Sequence, residues 1–103
     1  MYLSRVYIVV NIAITDADPY RQYEKGFFGI FKRHSGELIA FDDNPITLEA
    51  DAPRSDRMII LKLTSEQAAK DWYEDPEYQA LSEHCRAGTK LEFFTIVHGI
   101  SAR

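Results

Sequence analysis

Arg5-Val6-Tyr7-Ile8-Val9-Val10-Asn11-Ile12-Ala13-Ile14 is the stretch from which the architecture can be read. Its even positions, Val6, Ile8, Val10, Ile12 and Ile14, are all β-branched and apolar. Its odd positions, Arg5, Tyr7, Val9, Asn11 and Ala13, are mixed. A period of two with one uniformly apolar face predicts a strand whose apolar face packs on helices. The second face is too apolar to be left wholly to water, so it is expected to be covered as well.

Outward from this strand, Asp16-Ala17-Asp18-Pro19 opens a helix, with Asp18 as the expected cap and Pro19 at the first helical position. Tyr20, Tyr23, Phe27, Ile30, Phe31 and His34 then share one helical face, and Gly36 is the expected stop. Glu37 to Phe41 reads as a second strand and Asp42-Asp43-Asn44-Pro45 as a turn. Extended structure is expected to resume over Ile46 to Ala50, before a polar loop from Asp51 to Asp56. Arg57 to Leu63 is the third strand. Ser65 caps a short helix carrying Ala68, Ala69, Trp72 and Tyr73, and Asp75-Pro76 starts another bearing Tyr78, Leu81 and Cys85, ending at Gly88. Leu91 to Ile100 is the last strand.

Strand, helix, strand, strand, helix, strand predicts an α+β, ferredoxin-like βαββαβ fold: an antiparallel sheet with helices on one face. The other face would carry Tyr7, Val9, Phe93 or Phe94, and Ile96 or Val97. A bare face of that character predicts a homodimer through packed sheet faces.

The bulk properties agree. The chain has 103 residues, enough for a single domain spanning 1–103. With 46% hydrophobic and 27% charged residues it has a globular composition, and no apolar run approaches a membrane span. Net charge is −4, which argues against nucleic acid or an anionic membrane as partner. The first residues lack the pattern of a secretory leader, so a cytoplasmic location is expected. The one cysteine, Cys85, excludes an internal disulfide.

Trp72-Tyr73-Glu74-Asp75-Pro76-Glu77-Tyr78-Gln79, preceded by Ser65 and Ala69, resembles a bacterial family known as domain of unknown function 1330. The opening Tyr7 to Ile12, the spaced Tyr20 and Tyr23, and Arg86 fit the same pattern, and the likeness runs over residues 6 to 100. It implies membership of the dimeric α/β-barrel superfamily, which includes cofactor-independent monooxygenases, isomerases and haem-degrading enzymes. The chain departs from the family pattern at Phe41-Asp42-Asp43-Asn44-Pro45 and at Leu48-Glu49-Ala50, so the likeness transfers least over the 42–56 loop; if a ligand's shape is read there, this chain differs from its relatives. Where haem-degrading relatives carry an iron-binding histidine this chain has Ser82, so no haem is expected, and with no Gly-rich phosphate loop or dinucleotide fingerprint in the sequence no other cofactor is expected either.

Several residues are candidates for chemistry. Asn11 is a polar residue inside an apolar strand and needs a partner, either a ligand oxygen or a neighbouring group. His34 is placed to shuttle a proton near neutral pH, or to complement the helix end. Asn11 and His34 are therefore the candidate catalytic residues. Tyr23, Trp72, Tyr78 and Arg86 are the candidate ligand-binding residues, with Arg86 able to hold an anionic group. The three histidines are dispersed, so no metal site is expected. The expectation is a small-molecule pocket between sheet and helices, serving cofactor-independent oxidation or isomerisation of a small organic compound. The alternative is a non-catalytic dimeric binding module in which these residues satisfy one another.

Overall fold

The computed structural model describes residues 5–52 and 56–100. The elements are β1 (Val6–Ile14), α1 (Ala17–Arg33), β2 (Glu37–Asp42), β3 (Arg57–Leu63), α2 (Glu66–Glu74), α3 (Pro76–Gly88) and β4 (Thr89–His98). The four strands form one antiparallel sheet in the order β2-β3-β1-β4, with the helices on one face. This is the ferredoxin-like α+β arrangement.

The opening strand behaves as its pattern requires. Val6, Ile8, Val10 and Ile12 are buried under the helices, together with Leu61 and Leu63 of β3. The helices contribute Tyr20, Tyr23, Ile30 and Phe31 from α1, Ala69 and Trp72 from α2, and Tyr78 from α3.

Both edge strands carry a bulge. On β4 the register steps from Asn11↔Phe93 to Ile12↔Leu91, which leaves Glu92 as the extra residue. On β2 it steps from Leu38↔Leu61 to Ala40↔Ile60, which leaves Ile39 extra. The bulge settles which aromatic faces where. Thr89, Leu91, Phe94 and Ile96 face the helices, and Phe93, Thr95 and Val97 face away with Tyr7 and Val9.

Some local expectations need correction. The cap of α1 is Asp16, not Asp18: Asp16 is extended, and its Oδ1 accepts from the Asp18 N–H at 3.2 Å. Pro19 stands third in the helix, where its missing N–H would have had no intrahelical partner. Helix α1 ends at Arg33, and Ser35, not Gly36, adopts positive φ (61°). Gly36 is required for space instead, because a Cβ there would run into the Phe31 ring. No strand resumes over 46–50. The chain has left the sheet after Asp42, and Ile46 and Leu48 are 86% and 91% exposed. The polar loop that follows includes residues 53–55, outside the described residues. Strand β4 starts at Thr89, immediately after Gly88, rather than at Leu91. Gly88 lies against the start of α1, and its carbonyl accepts from the N–H groups of Thr15 (2.8 Å) and Asp16 (3.2 Å).

Candidate functional site

Between the helices and the sheet lies a cavity of about 380 Å³. Its floor is Val10, Ile12, Ile59, Leu61, Leu91 and Phe94. Leu91 and Phe94 both reach it although they are three residues apart, which regular alternation would forbid and the β4 bulge permits. The opposite wall comes from α1 (Tyr20, Tyr23, Phe27) and α3 (Tyr78, Ser82, Arg86). Phe28, Leu38, Phe41 and Tyr73, each partly exposed, stand at the mouth.

The polar groups of the wall are few and ordered. The hydroxyls of Tyr23 and Tyr78 are hydrogen-bonded at 2.9 Å. Burial raises both phenols, Tyr23 well above its ordinary value and Tyr78 to about 12, the latter against opposing hydrogen bonds with Tyr23 and then Ser82. Both remain protonated near neutral pH and can donate or accept hydrogen bonds. Tyr78, Ser82 and Arg86 recur every four residues, so they line one face of α3. Arg86 Nη1 donates to Ser82 Oγ (2.9 Å) and Nη2 to the Gln79 carbonyl (3.3 Å). Cys85 also lines the cavity. Burial pushes its thiol up, opposed by the Thr89 hydroxyl, so it is a neutral group.

Removing the Tyr78 hydroxyl strands that of Tyr23 in a buried place. Tyr78→Phe should therefore lose about 1–3 kcal/mol of stability, and the Tyr23→Phe/Tyr78→Phe double variant should lose less than the sum of the singles. Urea unfolding of all four proteins checks this, and additive losses would contradict it.

One corner of the mouth is fixed by a residue the sequence reading did not single out. Arg57 stacks over Phe41 (4.0 Å to the ring centroid) and Tyr20 (5.3 Å). It donates to Asp43 at 2.6 and 3.1 Å, and lies 3.5 Å from Glu24. Partial burial works against its charge, but the bonds to Asp43 and Tyr20 outweigh it and raise the guanidinium pKa. Glu24, Phe41 and Ser82 were also missed. An arginine opening a strand and an aspartate in a turn carry no local sign that they will meet across 14 residues.

The candidate residues named from sequence divide. Tyr23, Tyr78 and Arg86 converge on the cavity. Trp72 does not line it: it is 0% exposed, inside a cluster of rings behind the wall. Asn11 is 0% exposed and stands on the opposite sheet face, because it alternates with Val10 and Ile12; its Nδ2 donates to the Arg57 carbonyl (3.1 Å). His34 follows the last turn of α1, away from the cavity lining, with Nε2 2.9 Å from Asp75 Oδ2. Asn11 and His34, the candidate catalytic residues, thus stand outside the lining of the cavity. Among the described residues, no group of three or more His, Cys, Asp or Glu could hold a metal ion. Nor is any helix among them long and apolar enough to cross a membrane.

Asp75 is a structural hub. It caps α3 through the Glu77 N–H (2.9 Å) and pairs with His34 and Arg33. The His34 hydrogen bond first, then the Glu77 N–H and Arg33, hold its carboxyl down to about 2. A depressed folded pKa stabilises the protein above the unfolded value near 4 and is lost as pH falls towards 2. The loss of stability between pH 4 and 2 should therefore be shallower in Asp75→Asn, which keeps a capping oxygen, than in the parent chain. Urea midpoints across that range provide the check, and parallel profiles would refute it.

The family model for Domain of unknown function (DUF1330) matches residues 5–100. The chain belongs to this family. Solved structures share the DUF1330 chain's fold. The RPA0582 protein of unknown function from Rhodopseudomonas palustris is 16% identical, with TM-score 0.72, covering 97% of this chain and 84% of that one. SnoaB, a cofactor-independent oxygenase from Streptomyces nogalater, is 13% identical, with TM-score 0.61 and 96% of each chain covered. A dabb family protein with a ferredoxin-like fold from Mesorhizobium loti is 12% identical, with TM-score 0.53, covering 97% of this chain and 99% of that one. At these identities the likeness is one of fold. No curated protein matches this DUF1330 chain.

Proposed function

We propose that this protein is a cytoplasmic homodimer, joined through its sheet faces, in which each protomer binds a small, largely apolar organic compound in the cavity. Its chemistry on that compound is oxidation or isomerisation without a bound cofactor. The observation that carries this reading is the cavity of about 380 Å³, walled by aromatic rings with its hydroxyls and Arg86 gathered along the α1 and α3 side. Such a space suits a compact aromatic molecule. SnoaB, a cofactor-independent oxygenase, supports the reading at the level of fold.

A second reading, a non-catalytic binding module, is favoured by one observation. Asn11 and His34 are both engaged in bonds outside the cavity, and the wall tyrosines are held protonated.

Native mass spectrometry of gently purified protein, with a denatured control, tests the shared part. The expected spectrum is a dimer carrying a non-covalent organic mass on each protomer. A monomer would overturn the assembly. Turnover is tested by incubating the protein with the released compound in air and under argon. Conversion only in air marks oxidation, conversion in both marks isomerisation, and none in either selects the module.

A further inference from the structure

We propose that the compound bound in the cavity carries an ionised oxygen, a carboxylate or phenolate, and that Arg86 receives it. This rests on the cavity being a binding site, as proposed above, and adds the class of ligand.

The charge balance of the cavity leads to this assignment. Two formally charged side chains line it, Glu24 and Arg86. Glu24 is answered by Arg57 at 3.5 Å. Arg86 is not answered: among the described residues no carboxylate lies within ion-pair distance of it. Arg21, Arg33 and Arg57 each have one. Instead Arg86 is braced by neutral oxygens, Ser82 Oγ at 2.9 Å and the Gln79 carbonyl at 3.3 Å. These two bonds occupy part of a fork with five N–H donors and fix its orientation. The remaining donors are free to face a largely apolar enclosure. An anionic oxygen is the complement of that arrangement, and a planar aromatic body is the complement of the ring-lined remainder.

The test compares 1-naphthoate with 1-naphthamide, which have the same ring body and differ in charge. Binding to the full chain is measured by calorimetry. Protection of Cys85, the one cysteine and a cavity-lining residue, from a thiol reagent reports where the probes sit. We expect naphthoate to bind about tenfold or more tighter than the amide, as a charge-assisted bond requires. Arg86→Gln should bring the two probes within about twofold of each other by weakening naphthoate alone, whereas Arg86→Lys should keep part of the preference. Ser82→Ala, which removes the brace and leaves the charge, should reduce the preference without abolishing it. Equal affinities in the parent chain, or a preference that survives Arg86→Gln, would overturn the assignment while Cys85 protection by both probes upheld the cavity. If neither probe binds or protects Cys85, the cavity reading fails and this inference falls with it.

Discussion

Trp72→Ala should destabilise the protein by about 3–5 kcal/mol, a large share of the total stability of a domain this size. Trp72 is fully buried, and five rings surround it. Tyr78 (4.4 Å between centroids) and Phe31 (5.2 Å) are closest, followed by Phe27, Phe94 and Tyr73. These rings come from α1, α2, α3 and β4, so the indole ties the helical layer to the sheet, and several of its neighbours wall the cavity. Removing it leaves a void that the rings cannot close without leaving their own contacts. Trp72→Phe should be much milder. It gives up part of the volume, but it also removes Nε1, which has no hydrogen-bond partner among the described residues although it is buried. Urea unfolding measures both variants, and equal losses would show that ring packing is not what Trp72 supplies.

Ile60→Asp should convert the proposed dimer to monomer, weakening self-association by at least about a hundredfold. Ile60 pairs with Val9 on β1 and Ala40 on β2, at the middle of the sheet face that turns away from the helices. Tyr7, Met58, Phe93 and Val97 share that face. In a twofold interface a single substitution enters twice, so two carboxylates would be brought out of water towards each other. Light scattering on a sizing column measures the outcome. The fold should survive, since Ile60 is only half-buried within one protomer. A variant that stays dimeric would place the interface elsewhere.

The fold was legible because its strongest signals are local. The alternation from Val6 to Ile14, the Asp-Pro helix starts and the apolar run from Arg57 to Leu63 each name an element, and their order names the topology. Where the reading failed, the deciding contact was distant in sequence. Ile46 to Ala50 is apolar enough for a strand but has no neighbouring strand to pair with. Which of Phe93 and Phe94 faces the helices depends on one extra residue, Glu92, which alternation cannot locate. Half of the site was legible for a similar reason. Tyr23 and Tyr78 stand at helical spacing on apolar stripes, and Arg86 stands two turns beyond Tyr78. Asn11 and His34 looked reactive because they are polar residues in apolar settings, yet the structure answers each with a bond of its own. Arg57 gave no sign, since its partners Asp43, Glu24 and Phe41 lie in three other segments.

The two bulges have a bearing on solubility. An open four-stranded sheet ends in two rows of backbone groups able to recruit strands from other molecules, the first step towards fibrils. Here each outer strand is interrupted, β2 at Ile39 and β4 at Glu92, so neither border offers an even template for a stranger's backbone. The same insertions that set Leu91 and Phe94 on the cavity floor and Leu38 and Phe41 at its mouth also discourage growth along the hydrogen-bonding direction. Encounters between copies are thereby steered away from the rims of the sheet, and association through its broad side, as in the proposed dimer, would end at a closed pair.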